Sequence, residues 1–210
     1  MEERLKELIS INGLNEGTVY LQITRGEAPR SHAFPKDTTP VELAFTNGYA
    51  RPLQSMQRGI RAITMDDIRW LRCDIKSLNL LPNTMAKQHA LDRGVDEAIM
   101  HRRGTVTECS ASNLLIVQND TVYSHPADNL ILHGVTRAVI IRLAGQLGIP
   151  FKEEAFHIDT LYGADEVFIT GTTVEITPVV EVDGRQIGTG APGSLTKRLQ
   201  EAFESLIRQS

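Results

Sequence analysis

Hydrophobic and polar positions in this chain change period several times, and each change marks an element. In MEERLKELIS, Leu5, Leu8 and Ile9 share one helical face, and Asn12-Gly13 stops the helix. GTVYLQITRG then alternates with a period of two, Val19, Leu21 and Ile23 one way and Tyr20, Gln22 and Thr24 the other, which predicts a strand. The polar stretch EAPRSHAFPKDTTP reads as a loop, VELAF as a short second strand, and residues 47–52 (NGYARP) as a linker. One helix and two strands form a thin layer that does not supply a core of its own.

After the linker, strands dominate. GIRAITM predicts a strand, and LLPNTMAKQHALDRG a helix with Pro82 in its first turn and Gly94 at its end. DEAIMHRRGTVTE reads as strand, tight turn, strand, and SNLLIVQNDTVYSHP repeats that arrangement around Asn119-Asp120. HGVTRAVIIRLAGQLGIP predicts a helix that starts at Gly134, with Ile140, Leu143 and Leu147 on one side and Gly148-Pro150 at its close. EVFIT has the continuous apolar character of a buried strand, TPVVEVDGRQIG reads as a hairpin with a DG turn, and SLTKRLQEAFESLI as a terminal amphipathic helix capped by Ser194. The expected fold class is α+β: a strand-rich large domain over 51–210, and the remainder of a smaller α/β domain over 1–50. Regular β-α alternation, a G-x-G-x-x-G turn and a Walker sequence are all absent.

Composition narrows the classes. The 210 residues carry 41% hydrophobic and 23% charged side chains, ordinary for a globular chain, and a net charge of -4 offers no general attraction to nucleic acid or anionic membrane. No apolar run is long enough to span a bilayer, and the charged first segment does not resemble a secretory signal. Cys73 and Cys109 form no CxxC pair or disulfide scaffold, so a reducing cytoplasm is the expected compartment. His89, His101, His125 and His133 are scattered singles without ligand spacing, so no metal site is expected.

Four groups could carry chemistry. Lys76 stands in DIRWLRCDIKSLNLL (67–81), where neighbouring cations weaken the preference for the protonated amine; the neutral amine is the form that condenses with an aldehyde. A solvated surface lysine is the plain alternative. Glu108, in GTVTECSASN, is either an ordinary edge carboxylate or a fixed anion that holds a proton on a heteroaromatic nitrogen. Gly134-Val135-Thr136 opens a helix and Gly171-Thr172-Thr173 follows a strand. Both offer amides and hydroxyls suited to a phosphate, though capping and turn formation also explain them. Arg30 and His32, two positions apart on an extended loop, would point the same way as a small clamp for a carboxylate, unless they are only solvated.

Taken in order, YLQITRGEAPRSHAFP, DIRWLRCDIKSLNLL, EAIMHRRGTVTECSASNLLIV, ILHGVTR and FITGTTVEITPV closely resemble the D-amino-acid transaminases. These belong to the fold-type IV pyridoxal-phosphate enzymes, with branched-chain aminotransferases and aminodeoxychorismate lyase. The resemblance runs over essentially the whole chain. It implies pyridoxal 5'-phosphate as cofactor, carried by Lys76, which also moves the substrate proton. It sets Glu108 beside the ring nitrogen, Leu132 against the ring, and Val135, Thr136 and Thr172 at the phosphate. Arg30 and His32 match the pair that holds the substrate carboxylate from a partner subunit, which implies a homodimer. The implied substrates are D-amino acids such as D-alanine and 2-oxo acids such as 2-oxoglutarate, with pyruvate and D-glutamate as products. Branched-chain transamination, aminodeoxychorismate lysis and an inactive relic of the fold stay open as alternatives. Ala111, in CSAS, replaces a hydroxyl of the family's serine run. Family members also carry a further section ahead of the point matched by Met1, with an arginine for the phosphate and a tyrosine for the substrate pocket; neither has a counterpart here.

Overall fold

The computed structural model describes residues 1–209 and divides the chain into two compact units, Met1–Arg51 and Pro52–Ser210. In the first, α1 (Glu2–Ile11) precedes β1 (Gly17–Thr24) and β2 (Val41–Gly48), which pair antiparallel from Gly17↔Gly48 to Thr24↔Val41. The second strand is longer than VELAF and takes in Asn47 and Gly48, which the sequence reading assigned to the linker. Tyr20 stacks on Phe45 with centroids 4.9 Å apart, and Arg4 pairs with Glu42 at 2.8 Å. The alternation in β1 does not produce a buried face: Leu21 and Ile23 are exposed, as are Val41, Leu43 and Phe45 opposite, and α1 buries nothing. A two-stranded ribbon with one helix cannot enclose its apolar side chains.

The second unit contains α2 (Leu53–Arg58), β3 (Ile60–Asp66), α3 (Leu81–Asp92), β4 (Glu97–Arg102), β5 (Thr105–Cys109), β6 (Asn113–Gln118) and β7 (Thr121–Ser124). Then follow α4 (Val135–Gln146), β8 (Phe151–Glu153), α5 (Ile158–Tyr162), β9 (Glu166–Gly171), β10 (Glu175–Val182), β11 (Arg185–Gln186) and α6 (Ser194–Ile207). Eight strands lie in the order β5-β4-β3-β10-β9-β6-β7-β8, with β11 beside β10. The β3/β4, β3/β10 and β7/β8 pairs are parallel and the others antiparallel. The sheet curls back on itself, because the segment after β8 returns to β5. The Val106 amide donates to the Phe156 carbonyl at 3.0 Å, and the Ile158 amide to Gly104 at 2.8 Å.

This curl explains the continuous apolar strands. Leu114 and Ile116 of β6 and Val167 and Ile169 of β9 join one core with Ile60, Ile99, Val106 and Leu161. Their neighbours Leu115, Val117 and Phe168 face the opposite way, into a second core under α4 and α6 with Ile140, Leu143 and Leu199. Strands buried on both faces lose the alternation that marks a half-exposed sheet. Tight turns set the register: Asn119-Asp120 and Asp183-Gly184 both place two successive residues at positive φ, the geometry of a two-residue hairpin.

The terminal helix departs from expectation. Gly193, not Ser194, is its cap residue, and the first amides are satisfied by a distant carboxylate. Glu166 accepts from the Leu195 amide at 2.9 Å, the Thr196 amide at 2.7 Å and the Thr196 hydroxyl at 2.6 Å. A Cβ on Gly193 would lie 1.9 Å from the Glu166 Cδ, so this approach requires glycine. No helix among the described residues is long and apolar enough to cross a membrane.

Candidate active site

One end of the curled sheet collects the C-terminal end of β5, the start of β6 and the C-terminal end of β9. Glu108 is the next-to-last residue of β5 and is buried. Its Oε1 accepts from Arg69 Nη1, its Oε2 from Asn113 Nδ2 at 2.8 Å, and the Leu132 amide bridges both oxygens at 3.1 Å. Asn113 opens β6, and its Nδ2 also donates to the Leu132 carbonyl at 2.8 Å. Leu132 is therefore tied to Glu108 through its own amide and through Asn113.

Asn113 also links the two phosphate-type turns. In register it faces Thr170, the residue before Gly171. A Cβ on Gly134 would lie 2.1 Å from Asn113 Oδ1, so the start of α4 approaches the amide as closely as only glycine permits. No described side chain caps α4, and its first amides, from Val135 onward, stay available at the positive end of the helix dipole. The Gly171 turn approaches the same strip from the other side: a Cβ there would lie 3.7 Å from the Ala111 carbonyl and from Ser112 Cβ. Val135 is 80% exposed, Thr136 half-buried and Thr172 exposed.

Lys76 lies on the loop between β3 and α3 and is exposed. Its loop is anchored on both sides of it. The Cys73 amide donates to Asn129 O at 2.9 Å, Asn129 Nδ2 to Leu71 O at 2.9 Å, and Asn83 Nδ2 to Ser110 O at 2.8 Å. These bonds tether the lysine loop to the segment before Leu132 and to the residues that follow Glu108. Arg30 and His32 belong to the first unit, where both are exposed. The chain bends at each of them, so the alternation of an extended strand does not set their direction.

The sequence reading missed a buried ionic cluster behind Glu108. Asp67, whose side chain has 0% exposure, accepts from Arg69 Nε at 2.9 Å and Nη2 at 2.8 Å, from Arg102 Nε at 3.1 Å and from the Thr107 hydroxyl at 2.9 Å. Burial pushes the Asp67 carboxyl up, but the hydrogen bonds and charge of Arg69, with a hydrogen bond from Arg102, overcome it and leave the group at about 2. For Glu108 burial wins: it raises the carboxyl to about 7 against the Arg69 charge, the Arg69 hydrogen bond and the Leu132 amide. Buried Glu97 holds the next turn of chain, accepting from the Ser110 amide at 3.3 Å. The visible signal for the cluster was the D-x-R pair 67/69 inside the mixed run DIRWLRCDIKSLNLL; Asn113 gave none, since an asparagine before a strand reads as a turn residue.

These residues fit a phosphorylated heteroaromatic ring. A carboxylate offers about four acceptor positions. At Glu108 three donors engage all four, the Leu132 amide reaching both oxygens, and Arg69 is the one cation among those donors, so the carboxylate keeps negative charge to set against a protonated ring nitrogen. A buried hydroxyl beside Asn113, Thr170 Oγ1, has no partner among the described residues, and a buried hydroxyl without one is costly. The uncapped start of α4 supplies the phosphate end.

Comparison with known proteins agrees with this chemistry. The D-alanine aminotransferase of Staphylococcus haemolyticus is 48% identical over 204 residues, covering 97% of this chain and 72% of that protein. Among solved structures, the branched-chain amino acid aminotransferase of Escherichia coli superposes with a TM-score of 0.88 at 30% identity, covering 97% of this chain and 70% of that one. The branched-chain amino acid aminotransferase of T.th. with pyridoxamine 5'-phosphate gives a TM-score of 0.86 at 31% identity over 100% of this chain and 71% of that one. Residues 1–182 match the family described as amino-transferase class IV, and the chain belongs to that family.

Proposed function

We propose that this protein is a pyridoxal-phosphate-dependent D-amino-acid transaminase, moving the amino group of a D-amino acid such as D-alanine to a 2-oxo acid such as 2-oxoglutarate. The observation that carries the choice of substrate is the likeness to the S. haemolyticus D-alanine aminotransferase, well above the identity to the branched-chain enzymes and spread along nearly the whole chain. The RxH pair at Arg30 and His32 lies within that likeness and suits a substrate carboxylate.

Each residue then has a task. Pyridoxal phosphate, when bound, supplies an electron sink that weakens the Cα–H bond of the substrate. Lys76 would hold the cofactor through its Nζ, and that amine, once the incoming amino acid has displaced it, would take the proton from substrate Cα and return one on the way to product. Glu108, as an anion, keeps the ring nitrogen protonated. The α4 amides from Val135, the Thr136 hydroxyl and the Thr172 turn would hold the phosphate, and Leu132 would lie against the ring. The working form in this reading is a homodimer in the cytoplasm. The exposed apolar side chains of β1 and β2, and Ile68, Leu71, Leu78 and Leu81 around the lysine loop, support an assembly between copies.

The test is the visible absorption of the purified chain with pyridoxal phosphate, before and after D-alanine. A band that requires Lys76, is lost in Lys76→Ala, and shifts with D-alanine but not with L-leucine is the expected result. A shift with L-leucine instead would turn the assignment toward the branched-chain reaction, and no lysine-dependent band would sink the claim of activity.

A further inference from the structure

Arg69 is shared between two carboxylates, and it is shared unequally. An arginine beside a carboxylate tends to bind it through two parallel N–H groups. Here that two-pronged edge, Nε and Nη2, goes to Asp67, and the Arg69 backbone amide also donates to Asp67, at 3.0 Å. Nη2 has a second acceptor in the Leu130 carbonyl at 3.2 Å. Only Nη1 reaches Glu108. Asp67 is itself fixed from the far side by Arg102 and Thr107, and Arg102 Nη2 spans the Arg69 carbonyl at 3.1 Å and the Trp70 carbonyl at 3.0 Å.

We propose that Asp67 is a positioning residue: it occupies the two-pronged edge of Arg69, confines that arginine to a single contact with Glu108, and so keeps the Glu108 carboxylate from being fully neutralised by Arg69, leaving its charge for the ring N–H of the cofactor. This rests on the functional reading above. Without Asp67, the guanidinium is free to turn its two-pronged edge to Glu108 and pair with it fully. The charged and titratable groups around Glu108 are Arg69, Asp67 and, behind Asp67, Arg102, with the thiols of Cys73 and Cys109 nearby. Arg69 is the cation that touches Glu108, so the way it is divided governs the charge left at the carboxylate.

A role confined to folding would leave the titration of Glu108 unchanged. The first experiment is therefore a carboxyl NMR titration of Glu108 in cofactor-free protein, assigned by difference from Glu108→Gln. Asp67→Asn should lower the titration point by about one pH unit, because Arg69 moves onto Glu108 and a neighbouring anion is lost. Arg102→Gln, which strengthens the hold of Asp67 on Arg69, should move it upward, and it carries the test if Asp67→Asn fails to fold. The second experiment compares the affinity for pyridoxal phosphate with that for the analogue carrying CH in place of the ring nitrogen. Asp67→Asn should cost about tenfold to a hundredfold in the preference for pyridoxal phosphate, the worth of a hydrogen bond to a charged group. An unmoved titration in both variants, or equal losses for both compounds, overturns the assignment alone. A wild type that binds neither compound overturns the functional reading and the assignment with it.

Discussion

Glu108→Gln should alter the pH dependence of stability with a sign opposite to that of a carboxylate stabilised by its partners. Burial raises the folded-state value from 4.5 to about 7. A group raised in this way stabilises the folded state fully below about pH 4.5, and that contribution is lost as pH rises through about 7. With roughly 1.36 kcal/mol per pH unit of separation, the interval corresponds to about 3 kcal/mol in total, and about 2.5 kcal/mol between pH 5 and pH 8. The side chain is only 6% exposed, so solvent screening removes little of it. Asp67, at about 2, titrates outside that window and cancels in the difference.

The assay is urea unfolding of cofactor-free protein at pH 5, 6, 7 and 8, wild type against Glu108→Gln. Trp70, the single tryptophan, is a suitable probe because its carbonyl accepts from Arg102 beside the cluster. The stability of wild type relative to the variant should fall by about 2.5 kcal/mol across the series. A flat difference, or one that grows with pH, would refute the reasoning. It would mean that Arg69, Asn113 and the Leu132 amide outweigh burial and that Glu108 is ionised throughout.

Two other perturbations test the scaffold. Glu166→Ala removes three hydrogen bonds from the start of α6 and should cost about 2 kcal/mol, read as a fall of roughly 4–8 °C in Tm by calorimetry; Glu166→Gln, which keeps an acceptor, should lose less. Gly134→Ala places a methyl 2.1 Å from Asn113 Oδ1 and must displace the amide that holds Glu108 and Leu132. The expected loss is about 1–2 kcal/mol of stability and about tenfold in pyridoxal-phosphate affinity, measured by fluorescence titration of Trp70.

Periodicity located most elements because their signals are local. The helix of α4, the β4/β5 and β6/β7 hairpins and the DG turn after β10 each depend on residues adjacent in sequence. What periodicity could not give was the return of residues 156–158 to β5, since that pairing joins positions about fifty residues apart with three strands and a helix between them. The cap of α6 was misread for the same reason: Ser194 is the nearest capping type, but Glu166 reaches the amides from another strand. At the site, Lys76, Glu108 and the turns holding Val135, Thr136 and Thr172 were candidates from residue chemistry alone, each with a plain alternative; Leu132 and the specific role of each came from a family resemblance. Asp67, Arg69, Arg102 and Asn113 were visible only as polar residues, and their value depends on which of them face one another.

Burying Asp67, Glu108 and Arg69 together, with Arg102 beside them, is poorly explained as stabilisation. Desolvating charged groups costs several kcal/mol each, and apolar residues of similar volume often serve a core as well or better. What the cluster supplies is direction. Thr107 and Arg102 fix Asp67, Asp67 fixes the plane of Arg69, and Arg69, Asn113 and the Leu132 amide then hold Glu108 from three sides. Every link but Asn113 and the Leu132 amide starts from β4, β5 or the loop after β3, so the orientation of Glu108 is set before any ligand arrives. Such preorganisation matters most for a group whose task is to keep a proton on one ring atom, because a carboxylate free to rotate would be neutralised by Arg69 instead.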